Sequence, residues 1–373
     1  MYFLLMSISI VGMPIGVVYV GNILSVIWPP QLDNAQSYLY PVEFELPTTG
    51  REYYSLSIHP NSEEFIFSEC SSELEPRGDC HLLKYNMRTH DLYRFIFPNK
   101  YIYRHAKYSV SGNYIVLDRR PRPAEQTLAS HQRAANLGEI VFMRSDGIDF
   151  KVLPLEKGRN LGPIMSKDET KIAFWRRKQW KNERYLGDWS SGEIYEYDLS
   201  RNKVSLFAGP FNFINGNMSS YLSSDEILLQ TYTKHPLNDR REYGASEVFK
   251  FRRNIKEFPK PSFMDIQSAR IPSVDMNGNI YLSGQEKNGV SYFRISVNNE
   301  KTFWKIPRDI ISMPVIEATP DGKNIIFIYF AYIVENSKKE RAFGYFNIES
   351  SKWFHLDIPP LASSIAITVK QIQ

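Results

Sequence analysis

Two stretches of this sequence combine basic and aromatic residues in a pattern that could bind an anion. One runs from residue 118 to 138, and the other, from 175 to 192, interleaves five basic side chains with three tryptophans. Guanidinium groups form forked hydrogen bonds to planar anions and stack on aromatic rings. The residues that we predict to bind a ligand are Arg119, Arg120, Arg122, Arg176, Arg177, Lys178, Trp180, Arg184 and Trp189.

The same residue types allow other interpretations. Arginine, tryptophan and tyrosine dominate the hot spots of protein interfaces, so a protein partner fits as well as an anionic glycan. A third interpretation is internal: arginine and tryptophan stack on each other to order long loops, and the remaining charges are solvated. Nucleic acid is disfavoured, because 45 basic residues against 41 acidic ones leave a net charge of only +4 and no nucleic-acid motif is present.

Catalytic motifs are missing from the sequence. It has no G-x-S-x-G nucleophile elbow, and its seven histidines show neither H-x-x-x-H nor H-E-x-x-H spacing. His105, His131 and His235 could converge in the folded chain, although isolated histidines are the favoured interpretation. We therefore predict no metal and no cofactor, and binding is favoured over catalysis.

The positions of these residues depend on a repeat. A turn followed by an apolar run recurs six times with a period of about fifty residues. The copies are "HPNSEEFIF" (59–67), "SVSGNYIVL" (109–117), "SKDETKIAF" (166–174), "LSSDEILLQ" (222–230), "DMNGNIYLS" (275–283) and "TPDGKNIIF" (319–327).

Each copy also has a lead-in strand before the turn and two further strands after it. Four antiparallel strands, six times over, predict an all-β, six-bladed β-propeller over residues 41–373. The apolar run "IIFIYFAYIV" (325–334) is continuous, which is expected when a blade packs against a neighbour on both of its faces. The terminal segments "PVEFELP" (41–47) and "SSIAITVKQ" (363–371) are expected to close the ring by completing the last blade.

The pattern S/T-x-D-G-K-x-I-x-F resembles the TolB-like family of six-bladed propellers. The copies "TPDGKNIIF" and "SKDETKIAF" match it best, and the resemblance covers about residues 41–371. It implies the fold. It carries over no functional residue, and the α/β domain that precedes the propeller in TolB is not found in this sequence, so no role in the Tol system follows.

The N-terminal segment and the two cysteines indicate where in the cell the protein is located. No charged residue occurs from Tyr2 to Trp28, so residues 1–30 are predicted to form a transmembrane anchor or uncleaved signal-like helix. A cleaved signal and a buried hairpin are the alternatives. Cys70 and Cys80 are the only cysteines, and their spacing favours a disulfide over two free thiols. Together these features predict a membrane-anchored propeller that is periplasmic or on the cell surface, or secreted if the segment is cleaved.

The loops indicate where function lies. The turn between the first two strands of each blade is short, whereas the connection from the second strand to the third varies, and variable loops on a rigid scaffold are typical binding elements. We expect a non-enzymatic protein that binds a protein or cell-envelope component through its blade-2 and blade-3 loops. The alternatives are a lyase or hydrolase acting on an acidic oligosaccharide at the same end, and a structural spacer.

Overall fold

The structure is a computed structural model. It describes residues 51–71, 80–97, 101–123, 128–177, 192–211, 217–232, 246–263, 266, 269, 271–286, 289–295, 298–306, 310–333 and 338–369. All of these belong to one compact unit, Phe44–Gln373. The predicted helix at 1–30 and the segment 41–47 lie outside the described residues. Within the described part, no helix has the length and apolar character needed to cross a membrane.

The first three blades follow one another along the chain as four-stranded sheets. Blade 1 contains β1 (Arg51–Ile58), β2 (Glu64–Ser71), β3 (Cys80–Asn86) and β4 (Leu92–Ile96). Blade 2 contains β5 (Tyr101–Tyr108), β6 (Tyr114–Pro121), the helix α1 (Leu128–Ala135), β7 (Glu139–Arg144) and β8 (Lys151–Val152). Blade 3 contains β9 (Arg159–Met165), β10 (Lys171–Arg177), β11 (Gly192–Asp198) and β12 (Lys203–Phe211).

The last three blades repeat this order. Blade 4 contains β13 (Asn217–Ser223), β14 (Glu226–Tyr232) and β15 (Ser246–Arg252). Blade 5 contains β16 (Ser273–Val274), β17 (Ile280–Glu286), β18 (Gly289–Ile295) and β19 (Lys301–Lys305). Blade 6 contains β20 (Ile310–Ala318), β21 (Asn324–Ile333), β22 (Lys338–Asn347) and β23 (Lys352–Leu356). Blade 4 has three strands in the described part of the chain. At the place of the fourth strand, the segment after β15 makes a backbone hydrogen bond from Ser262 N to Val248 O at 2.8 Å.

The first strands of the blades form a closed ring. β1 contacts β5, β5 contacts β9, and the series continues through β13, β16 and β20, which in turn contacts β1. These strands therefore surround the axis, and the later strands of each blade lie progressively further out. The predicted all-β, six-bladed propeller is confirmed.

The hydrophobic core lies between blades, which explains the continuous apolar run in blade 6. Ile325, Phe327 and Tyr329 pack in one cluster with Tyr281 of blade 5. Ile326 and Ile328 point the other way, into a cluster with aromatic residues of blade 1. Alternation along the strand thus places apolar residues on both faces because each face meets a neighbouring blade.

The turn after the first strand has the same hydrogen bonds in three copies. In blade 6 the hydroxyl of Thr319 donates to Asp321 Oδ1 at 2.6 Å and accepts from Asn324 N at 2.9 Å. Gly322 follows with a φ of +69°, which glycine adopts without strain. Ser166 with Asp168 and Ser109 with Ser111 make the corresponding contacts. The S/T-x-D pattern therefore encodes a self-capped turn.

Ring closure differs from the expectation that terminal strands complete the last blade. Blade 6 supplies all four of its own strands. A 3₁₀ turn (Leu361–Ser363) then leads to β24 (Ile365–Thr368), which pairs in parallel with β4 and becomes a fifth, outermost strand of blade 1. The C-terminal segment therefore crosses the boundary between blade 6 and blade 1 before it pairs. Through β24 it links these two blades at the outer edge of the ring.

Candidate functional site

The innermost strands of blades 1, 2 and 3 share a bulge. Ser55, His105 and Gly162 have φ angles of +49°, +49° and +54°, and each lies at a break in the pairing register with the second strand of its blade. A bulge of this kind changes the direction of a side chain relative to the regular alternation. The backbone device is common to the three blades, but the residues that occupy it differ.

In blade 2 the bulge brings together an imidazole and a carboxylate. His105 Nδ1 lies 2.6 Å from Asp118 Oδ2, and the same oxygen accepts the backbone N–H of Gly162 in blade 3 at 2.9 Å. The side chain of Asp118 is 7% exposed, whereas that of His105 is 40% exposed. The contact is made through Nδ1, so Nε2 is the ring nitrogen that does not face Asp118.

Two arginines add positive charge beside this pair. Arg104 lies opposite Asp118 in the pairing of β5 with β6. Burial lowers the pKa of Arg159 in β9, and the charge of Arg104 lowers it further, while Asp118 acts in the opposite direction. The charges of Arg104 and Asp118 therefore act in opposite directions on this guanidinium group.

Arg119, one of the predicted ligand-binding residues, is held inside blade 2. Its Nε donates to Glu139 Oε2 at 2.7 Å, and its guanidinium carbon lies 3.9 Å from the centre of the Tyr101 ring. Burial raises the pKa of the neighbouring Tyr103 hydroxyl, and the positive charge of Arg119 opposes that rise. The side chain is only 10% exposed. Its contacts join the first three strands of the blade.

Arg176 has a corresponding place in blade 3. Its Nε donates to Asn160 Oδ1 at 2.9 Å, and Nη1 lies 3.1 Å from Glu156 Oε2. The buried amide of Asn160 in turn donates to the carbonyl of Gly138 in blade 2 at 2.9 Å. Arg176 also lies over the ring of Tyr195, at 4.5 Å. This arginine therefore ties blade 3 to blade 2.

The other predicted residues are placed in part. Arg120 is half-buried near the end of β6, and Arg122 is exposed just after the strand. Arg177 pairs through its backbone with Arg159 and Gly192. Lys178, Trp180, Arg184 and Trp189 lie outside the described residues. The structure thus places Arg119 and Arg176 at the bases of the two long connections. Ligand binding by the connections themselves stays a prediction.

The connections of blades 1 and 2 are attached to the scaffold in different ways. In blade 1, Cys70 and Cys80 lie directly opposite each other on β2 and β3, and their sulfurs are bonded at 2.05 Å. In blade 2, α1 packs onto the blade through the buried residues Ser130, Ala134 and Ala135. Both connections start from fixed points at the same end of the ring, which we call the loop-bearing end.

The opposite end, where the short turns lie, surrounds the mouth of the central channel. A cavity of about 210 Å³ opens there. All six blades contribute to its wall, for example through Ser57, Lys107, Met165, Ser219, Asp275 and Glu317. Lys107 Nζ lies 3.1 Å from Glu317 Oε2 and donates to the carbonyl of Leu56 at 3.1 Å. This ion pair crosses from blade 2 to blade 6 past blade 1.

Metal binding finds no support in the described part of the chain, where no three His, Cys, Asp or Glu side chains are grouped as ligands. Sequence reasoning considered His105 only as one of three histidines that could converge, and the side chains of His131 and His235 are not described. It did not pair His105 with Asp118. The available signal was that His105 occupies the same position before its turn as Ser55 and Gly162 do before theirs.

The fold defines a class: a six-bladed β-propeller whose longest connections from second to third strand lie in blades 2 and 3. No family model and no curated protein matches the sequence. TolB from Acinetobacter baumannii is similar in structure, with a TM-score of 0.51 and 12% identity over 82% of this chain and 62% of that chain. The resemblance to TolB-like propellers is therefore confirmed at the level of fold.

Enzymes share the fold as well. An acylaminoacyl peptidase in complex with a chloromethyl ketone matches with a TM-score of 0.51 and 11% identity over 83% of this chain and 46% of that chain. The uncomplexed acylaminoacyl peptidase of Pyrococcus horikoshii gives a TM-score of 0.51 and 10% identity over the same shares. The chain thus spans less than two thirds of TolB and less than half of either peptidase, and the likeness shows the fold alone.

Proposed function

We propose that this protein is a non-enzymatic binding propeller, which recognises a protein or cell-envelope component through the loop-bearing end of blades 2 and 3. The observation that carries the proposal is the bracing of Arg119 and Arg176. Both guanidinium groups are buried and hydrogen-bonded at the bases of the long connections. Loops that rise from rigid bases lose less conformational entropy when they bind.

The chemistry of the connections supports a partner with acidic or aromatic surface. Arg120 and Arg122 extend beyond the braced Arg119, and Arg122 is exposed. Beyond Arg176 the sequence continues with Lys178, Trp180, Arg184 and Trp189. Since these outer residues continue the basic and aromatic pattern beyond the two bases, we assign recognition to them. An anionic glycan remains a second possible partner for the same chemistry.

A crosslinking comparison tests the proposal. A photoreactive amino acid in place of Arg122 is expected to capture a partner in cells, and the variant Lys178→Ala/Trp180→Ala/Arg184→Ala should abolish the capture. The matched control puts the same probe at Met276, which is 62% exposed at the turn end. Equal capture of one partner from Arg122 and Met276, or capture that survives the triple substitution, would contradict the proposal.

We also propose that the propeller faces the periplasm or cell surface and is held by the segment 1–30 as a membrane anchor. The bonded pair Cys70–Cys80 supports an oxidising compartment. The test is thiol alkylation in intact cells followed by mass spectrometry. Protected cysteines and fractionation with membranes are expected, whereas freely alkylated cysteines or a protein in the soluble fraction would overturn the placement.

A second candidate function is a lyase or hydrolase that acts on an acidic oligosaccharide. The observation that favours it is the His105–Asp118 pair beside Arg104 and Arg159, because a carboxylate-supported imidazole suits general acid–base chemistry. Incubation with oligogalacturonides, followed by chromatography of the products, tests this activity. Cleavage that is lost in His105→Asn would establish it, and intact oligosaccharides after prolonged incubation would remove it.

A further inference from the structure

The cavity at the mouth of the central channel is lined by residues from every blade. In five blades they come from the last two residues of the first strand, for example Ser57, Ile164 and Glu317, and in blade 4 they are Ser219 and Ser220 within β13. The cavity volume of about 210 Å³ corresponds to about seven water molecules at about 30 Å³ each. The cavity therefore has room for one small molecule.

The charges of its wall are balanced. Among the described residues that line the cavity, the charged ones are Lys107, Lys167, Asp275 and Glu317. Lys107 and Glu317 form an ion pair, and Asp275 accepts hydrogen bonds from the backbone and the side chain of Asn279 at 2.9 and 2.8 Å. Lys167 is exposed in the turn at the opening. A charged ligand group would lose its hydration inside this wall without gaining an unpaired counter-charge there, so an uncharged ligand is favoured.

Three serine hydroxyls of the wall supply hydrogen-bonding groups. Ser57 is 4% exposed, and its oxygen accepts the backbone N–H of Tyr108 at 3.0 Å. The Ser57 hydroxyl proton has no acceptor in the described part of the chain. Ser219 and Ser220 each donate to a backbone carbonyl, which leaves their oxygens able to accept from a ligand. One donor and two acceptors suit ligand hydroxyl groups, because a hydroxyl both donates and accepts.

Apolar side chains form much of the remaining wall. Ile58, Ile164 and Val274 lie inside the cavity, and the exposed Val110 and Met276 stand at its opening. A largely apolar wall with a few placed polar groups is typical of small-molecule sites. The carbon skeleton of a hydroxylated molecule can pack on these side chains while its hydroxyl groups meet the serines.

We propose that this cavity binds a small uncharged molecule with several hydroxyl groups, which accepts a hydrogen bond from Ser57 and donates to Ser219 and Ser220. A sugar ring and an open-chain polyol share this chemistry. The Lys107–Glu317 ion pair keeps the two charges of the wall satisfied. This site lies at the turn end and does not depend on recognition by the loop-bearing end.

Two matched pairs of probes separate the two sources and test the role of charge. Glucose is compared with glucosamine, and sorbitol with gluconate, by nuclear magnetic resonance of the full chain labelled with ¹³C in its methionine methyl groups. Met165 and Met276 line the cavity, whereas Met143 is buried between blades 1 and 2 and is the internal control. Glucose or sorbitol is expected to shift the signals of Met165 and Met276 but not that of Met143. Its charged counterpart should bind about tenfold more weakly or less.

The uncharged probe that binds more tightly identifies the source. If neither glucose nor sorbitol shifts the signals of Met165 and Met276 at concentrations up to about 10 mM, the proposal is overturned. A charged counterpart that binds as tightly as the uncharged probe would also overturn it, because the balanced wall would then not select against charge.

Three variants test the roles of the residues. Ser57→Ala removes the donor and should weaken binding about three- to tenfold, the effect of one hydrogen bond. Ser220→Leu fills the cavity but leaves Ser57 and its bond to Tyr108 intact, and should abolish binding. The control is Ser350→Ala in an exposed turn of blade 6, which should bind as the parent does. Unchanged affinity in Ser220→Leu would refute the site, and this variant decides the question if Ser57→Ala does not fold.

Discussion

Lys107 of blade 2 and Glu317 of blade 6 form an ion pair although blade 1 stands between them. Nζ of the lysine lies 3.2 and 3.1 Å from the two carboxylate oxygens and also donates to the carbonyl of Leu56 in blade 1. Three consecutive blades around the ring are therefore joined at the channel by one ammonium group. Because blade 1 and blade 6 are the first and last blades along the chain, this contact links the two sides of the boundary at which the ring closes.

Removing only the lysine should destabilise the protein. Lys107→Met leaves the carboxylate of Glu317 buried without its cation, which typically costs about 3–5 kcal/mol. The double variant Lys107→Met/Glu317→Leu removes both charges and should recover most of that loss. Urea unfolding of the two variants measures the difference. Equal destabilisation in both would show that packing, and not the buried charge, is what Lys107 contributes.

The same carboxyl group predicts a pH dependence. Burial raises the pKa of Glu317, and the charge of Lys107 opposes the rise without cancelling it. The folded state thus binds this proton more tightly than the unfolded state. The stabilisation is complete below the ordinary glutamate pKa and is lost as the pH rises through the raised value.

The measurement is the free energy of unfolding of the parent protein minus that of Glu317→Gln, followed from acid to neutral pH. This difference should fall as the pH increases across the window between the ordinary and the raised pKa. A difference that increases with pH would mean that the ion pair with Lys107 outweighs burial.

Two of the predicted ligand-binding arginines, Arg176 and Arg122, should differ in how much they contribute to the stability of the protein. Arg176→Ala leaves the buried Asn160 carbonyl without its donor and removes the cation over Tyr195, so a loss of about 2–3 kcal/mol is expected. Arg122→Ala, at an exposed position, should stay within about 0.5 kcal/mol of the parent. Thermal unfolding of the two variants checks this contrast. Similar melting temperatures would assign Arg176 to recognition and not to the scaffold.

The contribution of β24 to ring closure can be tested with two residues of this strand. Ile367 of β24 packs with Phe95 and its neighbours between blades 1 and 2, whereas Ile365 is 49% exposed. Ile367→Ala should lower the free energy of unfolding by about 1–2 kcal/mol, and Ile365→Ala by about 0.5 kcal/mol or less. If both substitutions are neutral, β24 contributes nothing measurable to closure.

Much of the fold could be predicted because its signals are local. The turn of Thr319, Asp321 and Gly322 makes its hydrogen bonds within a few residues, so each copy of this turn in the sequence predicts one blade. The doubly buried strand at 325–329 follows from the same repeat. By contrast, the pairing of β24 with β4 joins the last blade-forming segment to blade 1, far away along the chain, and no local pattern specifies which sheet edge such a strand will pair with.

The candidate site was predicted less well, and for a similar reason. Composition drew attention to Arg119 and Arg176, but only the packing of blade against blade shows that their guanidinium groups are buried. His105 and Asp118 are separated by 13 residues, and a bulge that sequence alone does not reveal turns one toward the other.

The sequence by itself determined the number of blades, the order of their strands and the end of the ring that carries the long connections, because these depend on turns and alternation within one repeat. Only the tertiary structure decided which charges meet: Lys107 with Glu317, His105 with Asp118, and Arg176 with Asn160. The first of these contacts joins blades 2 and 6, which are distant along the chain, so it depends on how the ring closes. The other two lie within single blades, where a bulge and the packing between strands set the direction of each side chain, and no local sequence pattern specifies either.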